Sequence, residues 1–258
     1  MFPLIDSVAR RHTPFMVLTL IVLNVLVFFW EAQLPKVWIE YVSYHLGLVP
    51  ARYTVPAWAI AHGMDPHNYL PIITAQFMHG GLAHIVGNMW VLWIFGPALE
   101  DRMGPARFLA FYGIVGLAAM TTHIALNPYS TLPAIGASGA IAGVMGGYTV
   151  MFPRARILFM IIIVIFPLFF EWPAILFGLF WFLLQFLSGT QALDNVNLSG
   201  GVAWWAHVGG FIAGMLLVKP FILPEERNRP YFPDEGSLGY APDGDKTNRK
   251  RTEPRMWP

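Results

Sequence analysis

Three polar clusters in this chain hold residues whose types and spacing suit acyl transfer. The first is His79-Gly-Gly-Leu-Ala-His84-Ile-Val-Gly-Asn88. His84 and Asn88 stand four apart there and so share one face of a helix. The second is Gly136-Ala137-Ser138-Gly139, and the third is Ala206-His207-Val208-Gly209-Gly210-Phe211. A serine hydroxyl is a weak nucleophile until a base accepts its proton, and histidine is the usual base. Ser138 and His207 are therefore the candidate nucleophile and base. The oxyanion of a tetrahedral intermediate needs hydrogen-bond donors, which His84, Asn88 and the backbone N–H of Ser138 can supply. No carboxylate lies near Ser138 or His207 in the apolar segments, so a dyad without a third member is expected.

The elements that must position these residues are membrane spans. The 258 residues are 56% hydrophobic and 12% charged, about half the charged share usual for soluble domains. The apolar residues cluster into runs near the roughly 20 residues that cross a hydrocarbon core. Six spans are expected: 14–30, 82–99, 106–126, 138–152, 172–188 and 204–222. The first follows Arg10 and Arg11 but ends in Phe28-Phe29-Trp30-Glu31, with no small-residue cleavage site, so it reads as a retained helix. Residues 32–72 mix aromatics, prolines and histidines and suit a membrane interface. Ile157–Phe170 is apolar but too short to span and is interrupted by Pro167, so it reads as a re-entrant or interfacial segment. The expected organisation is an N-terminal cytoplasmic segment 1–13, a membrane domain 14–223 and a disordered cytoplasmic tail 224–258. A net charge of +1 offers no field for nucleic acid, and the absence of cysteine excludes disulfides and cysteine metal sites.

With the N-terminus cytoplasmic, fourteen of the sixteen basic residues fall inside and only Lys36 and Arg52 outside, so both termini are expected to be cytoplasmic. In that arrangement His79, His84, Ser138 and His207 all begin spans from the outer side, which brings them to one depth. Gly139, Gly143 and Gly147 repeat every four residues, as do Gly210 and Gly214, and small residues at this spacing let helix backbones approach closely. Each polar residue also has a quieter reading. A membrane serine can bond a carbonyl one turn back, and Asn88 can join helices. His79 is expected to support its loop, and His12, His45, His62, His67 and His123 read as interfacial or loop residues. His79, His84 and His207 could alternatively hold a metal in a transporter or metalloprotease. Zinc hydrolases, however, show His-Glu-x-x-His or an added carboxylate, and none is present, so neither metal nor cofactor is expected.

Taken together, His79…His84…Asn88, Gly136-Ala-Ser138-Gly139, His207-Val-Gly-Gly-Phe and Glu100-Asp-Arg102 resemble the rhomboid intramembrane proteases over residues 14–223. The resemblance implies an all-α polytopic membrane protein, a six-transmembrane-helix rhomboid-like bundle with an interfacial loop after the first helix. It implies Ser138 as nucleophile, His207 as general base and acid, and His84 and Asn88 as oxyanion stabilisers. His79, Gly136 and Gly139 would be supporting residues, and Glu100 and Arg102 would tie the second span to its following loop. Implied partners are transmembrane protein substrates cut near their outer end, within a lipid bilayer; the oligomeric state is open, and a prokaryotic plasma membrane is expected. A rhomboid-like pseudoenzyme is the alternative, but such proteins typically lack the serine or histidine, and both are present. The best-studied members carry a tyrosine four residues after the serine, stacked on the histidine; this chain has Ala142 there.

Overall fold

A computed structural model describes residues 2–194 and 202–227. The chain begins with a strand, β1 (Phe2–Asp6), and then a long helix, α1 (Phe15–Ala32). Four short helices follow: α2 (Lys36–Leu46), α3 (Pro50–Thr54), α4 (Pro56–Ala61) and α5 (Pro71–Thr74). Three of these open on proline, whose fixed φ and missing N–H suit a first helical turn. The stretch expected as an interfacial loop is therefore largely short helices.

The core helices are α6 (Leu82–Met103), α7 (Pro105–Leu126), α8 (Ser138–Met151), α9 (Ala174–Asp194) and α10 (Trp204–Phe221). Between α8 and α9 lies a hairpin of β2 (Arg156–Ile163) and β3 (Phe166–Pro173), and α11 (Pro224–Arg227) closes the described chain. Among the described residues four helices are long and apolar enough to cross a membrane: α1, α6, α7 and α9 through Ala192. The protein is a mostly helical, multi-pass integral membrane protein. Two of the six expected spans, α8 and α10, fall outside that set: α8 has 14 residues, short of a full crossing, and α10 carries His207, Lys219 and Pro220 among its 18. Every residue of α8 from Gly139 to Thr149 is buried among α6, α7, α9 and α10. A helix surrounded by protein need not be uniformly apolar, because its polar groups meet neighbours rather than lipid.

Helix α8 meets α10 backbone to backbone. A Cβ on Gly210 would overlap the carbonyl oxygen of Gly139 and stand 3.0 Å from its carbon. A Cβ on Gly214 would lie 2.6 Å from the carbonyl carbon of Gly143. Gly147 packs instead toward Phe111 of α7, and Gly146, outside the four-residue repeat, lies against the backbone of Phe211. The sequence-level expectation of glycine-mediated contact is met by the 139/210 and 143/214 pairs.

The sheet corrects the all-α expectation. Ile157–Phe170, expected as a re-entrant or interfacial segment, is most of a β-hairpin. Its two strands pair antiparallel from Ile163↔Phe166 down to Arg156↔Pro173, and β1 adds to β2 through Phe2↔Met160 and Asp6↔Ile157. β-branched and aromatic residues favour this conformation, and Ile157 and Phe159 point into the core against Phe177. The turn holds Val164 at φ 60°, a left-handed conformation that normally selects glycine. The sheet runs alongside a membrane helix: the Trp90 indole donates to the Pro3 carbonyl (2.6 Å), and Arg10 donates to the Ile94 carbonyl (3.2 Å). Asp6 is buried, ion-paired with Arg10, and accepts a hydrogen bond from the Tyr148 hydroxyl (2.8 Å). Within the segment 1–13, Pro3, Asp6 and Arg10 thus contact α6 and α8 directly.

Glu100, Asp101 and Arg102 bind the far end of α6 to residues 11–17 and to Glu226. The Glu100 carboxylate accepts the N–H groups of Met16 and Val17 (both 2.8 Å), satisfying free donors at the start of α1. Asp101 accepts from the backbone N–H of Arg11 and of His12 (both 2.9 Å). Arg102 lies over the Phe152 ring and pairs with Glu226 (3.3 Å). The contacts of Glu100 and Arg102 reach beyond the loop after the second span, to the start of α1 and to Glu226. Residues 224–227, expected in the disordered tail, form α11; the remainder of that tail, 228–258, lies outside the described residues.

Candidate active site

Ser138 is the first residue of α8, so its N–H and those just after it have no partner within the helix. Gly136, at φ 127°, makes the turn into that helix. Glycine is required there twice over, since a Cβ would also stand 2.8 Å from Cε1 and Nε2 of His84 and 3.6 Å from Nδ2 of Asn88. The loop before Ser138 is thereby pressed against the α6 face that carries His84 and Asn88. Gly139 performs the same task on the opposite side, where Ala119 and Ala206 crowd it.

His207 lies in the first turn of α10, and its Nε2 is 2.8 Å from Oγ of Ser138. Its Nδ1 is 2.7 Å from Oε1 of Gln185 on α9. An amide oxygen only accepts, so Nδ1 carries the proton and Nε2 is left as the acceptor for the serine hydroxyl. The ring is flanked by Trp181 (centroids 5.9 Å apart) and, edge-on, by Trp204 (6.1 Å). Ala142, where a stacking tyrosine was the alternative, is buried inside α8's packing. The aromatic rings against His207 therefore come from α9 and from its own helix. Both Ser138 and His207 are half-buried, which leaves them accessible.

His79 and Asn88 are coupled. The His79 Nδ1–H donates to the Phe77 carbonyl (3.2 Å), and its Nε2 accepts from the Asn88 amide (3.0 Å). The backbone N–H of His79 donates to the Glu31 carboxylate (3.1 Å) in the last turn of α1. Asn88 is thus held by one amide hydrogen, with the second free to face the α8 loop. His79 and His84 meet edge to face at 5.0 Å. With both ring nitrogens of His79 engaged, it has no lone pair for a metal, and among the described residues no group of three metal-ligating side chains converges.

All seven residues singled out in the sequence lie in this region: Ser138 and His207 in direct contact, His84 and Asn88 against Gly136, His79 behind Asn88, and Gly139 under the helix contact. Two residues were missed. Gln185 is the first polar side chain in α9 after eleven apolar or glycine residues, and that isolation was a usable signal. Glu31 was taken as the end of a span, and nothing in the sequence connects it to His79.

A family model described as the Rhomboid domain matches residues 66–223, which include every residue of this site except Glu31. Rhomboid protein 1, mitochondrial, of Saccharomyces cerevisiae is 29% identical over 213 residues, covering 80% of this chain and 53% of that protein. Rhomboid protease GluP of Bacillus subtilis is 29% identical over 161 residues, covering 60% of this chain and 26% of that protein. Presenilin-associated rhomboid-like protein, mitochondrial, of Homo sapiens is 26% identical over 160 residues, covering 57% and 37%. The chain spans about half or less of the length of these relatives. Coming from a bacterium and from proteins named as mitochondrial, they give no support to the expected prokaryotic plasma membrane. A match over more than half the chain, on a helical membrane protein with this arrangement of serine, histidines and asparagine, makes the chain a member of the rhomboid family.

Proposed function

We propose that the protein is an intramembrane serine endopeptidase that cleaves transmembrane segments of other membrane proteins. The observation that carries this reading is the 2.8 Å hydrogen bond from Ser138 Oγ to His207 Nε2. As Oγ attacks the scissile carbonyl, its proton passes to Nε2, and the carbonyl oxygen takes the negative charge. The backbone N–H of Ser138, the Asn88 amide and the His84 ring are the donors for that oxyanion, and the positive end of α8 adds to them. His207 then returns the proton to the leaving amine, which separates with one half of the substrate. A water molecule, deprotonated in turn by Nε2, attacks the acyl-serine; as the second tetrahedral intermediate collapses, Nε2 returns that proton to Ser138 Oγ and the carboxylic acid product leaves.

In this reading α8 and α10 complete a six-span bundle with both termini on the cytoplasmic side, as the lysine and arginine distribution favours. Substrates reach Ser138 near the outer ends of their spans. A fluorophosphonate probe tests the proposal on purified protein. It should label the wild type at Ser138, and labelling should vanish in Ser138→Ala and in His207→Ala. The same variants should lose cleavage of a single-pass substrate in liposomes. Full cleavage by Ser138→Ala would sink the serine mechanism.

A further inference from the structure

We propose that Gln185 is a positioning residue for His207, supplying from α9 the third contact that the serine–histidine pair was expected to lack. This rests on the reading of Ser138 and His207 as the reacting pair. In a neutral imidazole one nitrogen donates and the other accepts, and free histidine exchanges between the two tautomers. Only the tautomer with the proton on Nδ1 leaves Nε2 able to take the proton of Ser138. The Gln185 oxygen at 2.7 Å from Nδ1 selects that tautomer and fixes the plane of the ring.

Three further observations bear on the choice of this residue. The side chain is the first polar one in its helix: Ala174 to Leu184 is Ala-Ile-Leu-Phe-Gly-Leu-Phe-Trp-Phe-Leu-Leu, with no other side-chain acceptor in that stretch. A polar group in such a helix is costly unless partnered, and its partner is His207. The neighbours Leu184 and Phe186 are exposed while Gln185 is half-buried, so the helix turns this one residue inward. An amide in place of a carboxylate also suits the setting. A carboxylate would have to be buried with its charge in an apolar layer, whereas an amide directs the proton without that cost. The ring contact from Trp181, one turn earlier on α9, comes from the same face, so one helix supplies both the acceptor and the wall for the imidazole. The other titratable groups facing His207 are His84 from α6 and His123 from α7.

The test uses the full chain in detergent with Gln185→Leu, which suits an apolar helix, and Gln185→Glu, which keeps an acceptor. Nitrogen-15 spectra of the histidines read the tautomer without any need for activity, with His207 assigned by its loss in His207→Ala. Wild type should show His207 protonated on Nδ1, and Gln185→Leu should lose that preference. In kinetics Gln185→Leu should lower kcat by about 10- to 100-fold with KM little changed. The acid limb of the pH–rate profile should lie highest in Gln185→Glu, then wild type, then Gln185→Leu, because the acceptor stabilises the imidazolium to that extent. A structural role alone would not order the limbs so. Wild-type His207 protonated on Nε2, or Gln185→Leu with unchanged tautomer and limb, overturns the proposal. Failure of the protease reading is separate: it shows as the absence of Ser138-dependent labelling in the wild type, while the spectra still decide the tautomer.

Discussion

Gly210→Ala is a substitution one turn along α10 from His207 that adds a single methyl and touches neither reacting residue. Its Cβ would overlap the Gly139 carbonyl oxygen and lie 3.0 Å from the carbonyl carbon, with the Ala119 Cβ at 3.3 Å. Carbon atoms rest at about 3.5–4.0 Å, so α10 must retreat from α8 by about 1 Å at this point. Backbone cannot rotate aside as a flexible side chain does, so the displacement reaches the first turn of both helices. The Ser138–His207 distance, now 2.8 Å, would then open toward 4 Å, past hydrogen-bonding range. A misplacement of about 1 Å is worth about 10²-fold in rate, and overpacking costs roughly 1–3 kcal/mol of stability. The assay is the second-order rate of fluorophosphonate labelling, run beside thermal unfolding in the same detergent. Gly113→Ala is the control, because a Cβ at that position of α7 meets nothing within 4 Å. A folded Gly210→Ala that labels at the wild-type rate would refute the idea that glycine contact sets the reacting distance.

Further outcomes follow from the same structure. Asn88→Ala should lower kcat by about 10²–10³ if its amide serves the oxyanion, and His79→Phe, which only frees Asn88, should cost about tenfold; steady-state cleavage measures both. Glu100→Ala removes the acceptor for two N–H groups at the start of α1 and should lower stability by about 1–2 kcal/mol in a detergent unfolding titration. Chelator should leave labelling and cleavage unchanged, and a loss restored by added zinc would revive a metal mechanism. Ile165→Trp, at the hairpin turn, should be quenched by brominated lipid, since the sheet lies along α6; fluorescence of a tryptophan in water would contradict that placement.

The candidate site was legible in the sequence where isolated polar residues interrupt apolar runs, as at Ser138, His207, His84 and Asn88. The helix contact was legible too, because backbone approach requires small residues at helical spacing. Gln185 was hidden because the group that usually orients a catalytic histidine is a carboxylate, and an amide does not carry that signature. Glu31 and Glu100 could not be assigned because their partners lie 48 and 83–84 residues away and are backbone N–H groups, which leave no mark on the sequence. The sheet was obscured for a different reason. A strand exposed to water alternates polar with apolar, but Ile161–Phe170 is apolar on both faces, so period-two patterning vanishes. Its partner β1 sits some 150 residues earlier, beyond the reach of any local signal.

The placement of prolines in β3 has a consequence for how copies of this protein share a membrane. In a hairpin closed by the pair Ile163↔Phe166, alternate residues of β3 direct their backbone away from β2, beginning with residue 167. Those positions are Pro167, Phe169, Glu171 and Pro173, so two of the four have no N–H to offer. Unpaired backbone donors cost several kcal/mol each in hydrocarbon and draw in any strand that can satisfy them. With half of them deleted, the outer edge of the sheet is a poor template for a fourth strand. Two molecules meeting edge to edge along β3 would therefore find few backbone donors with which to zip together.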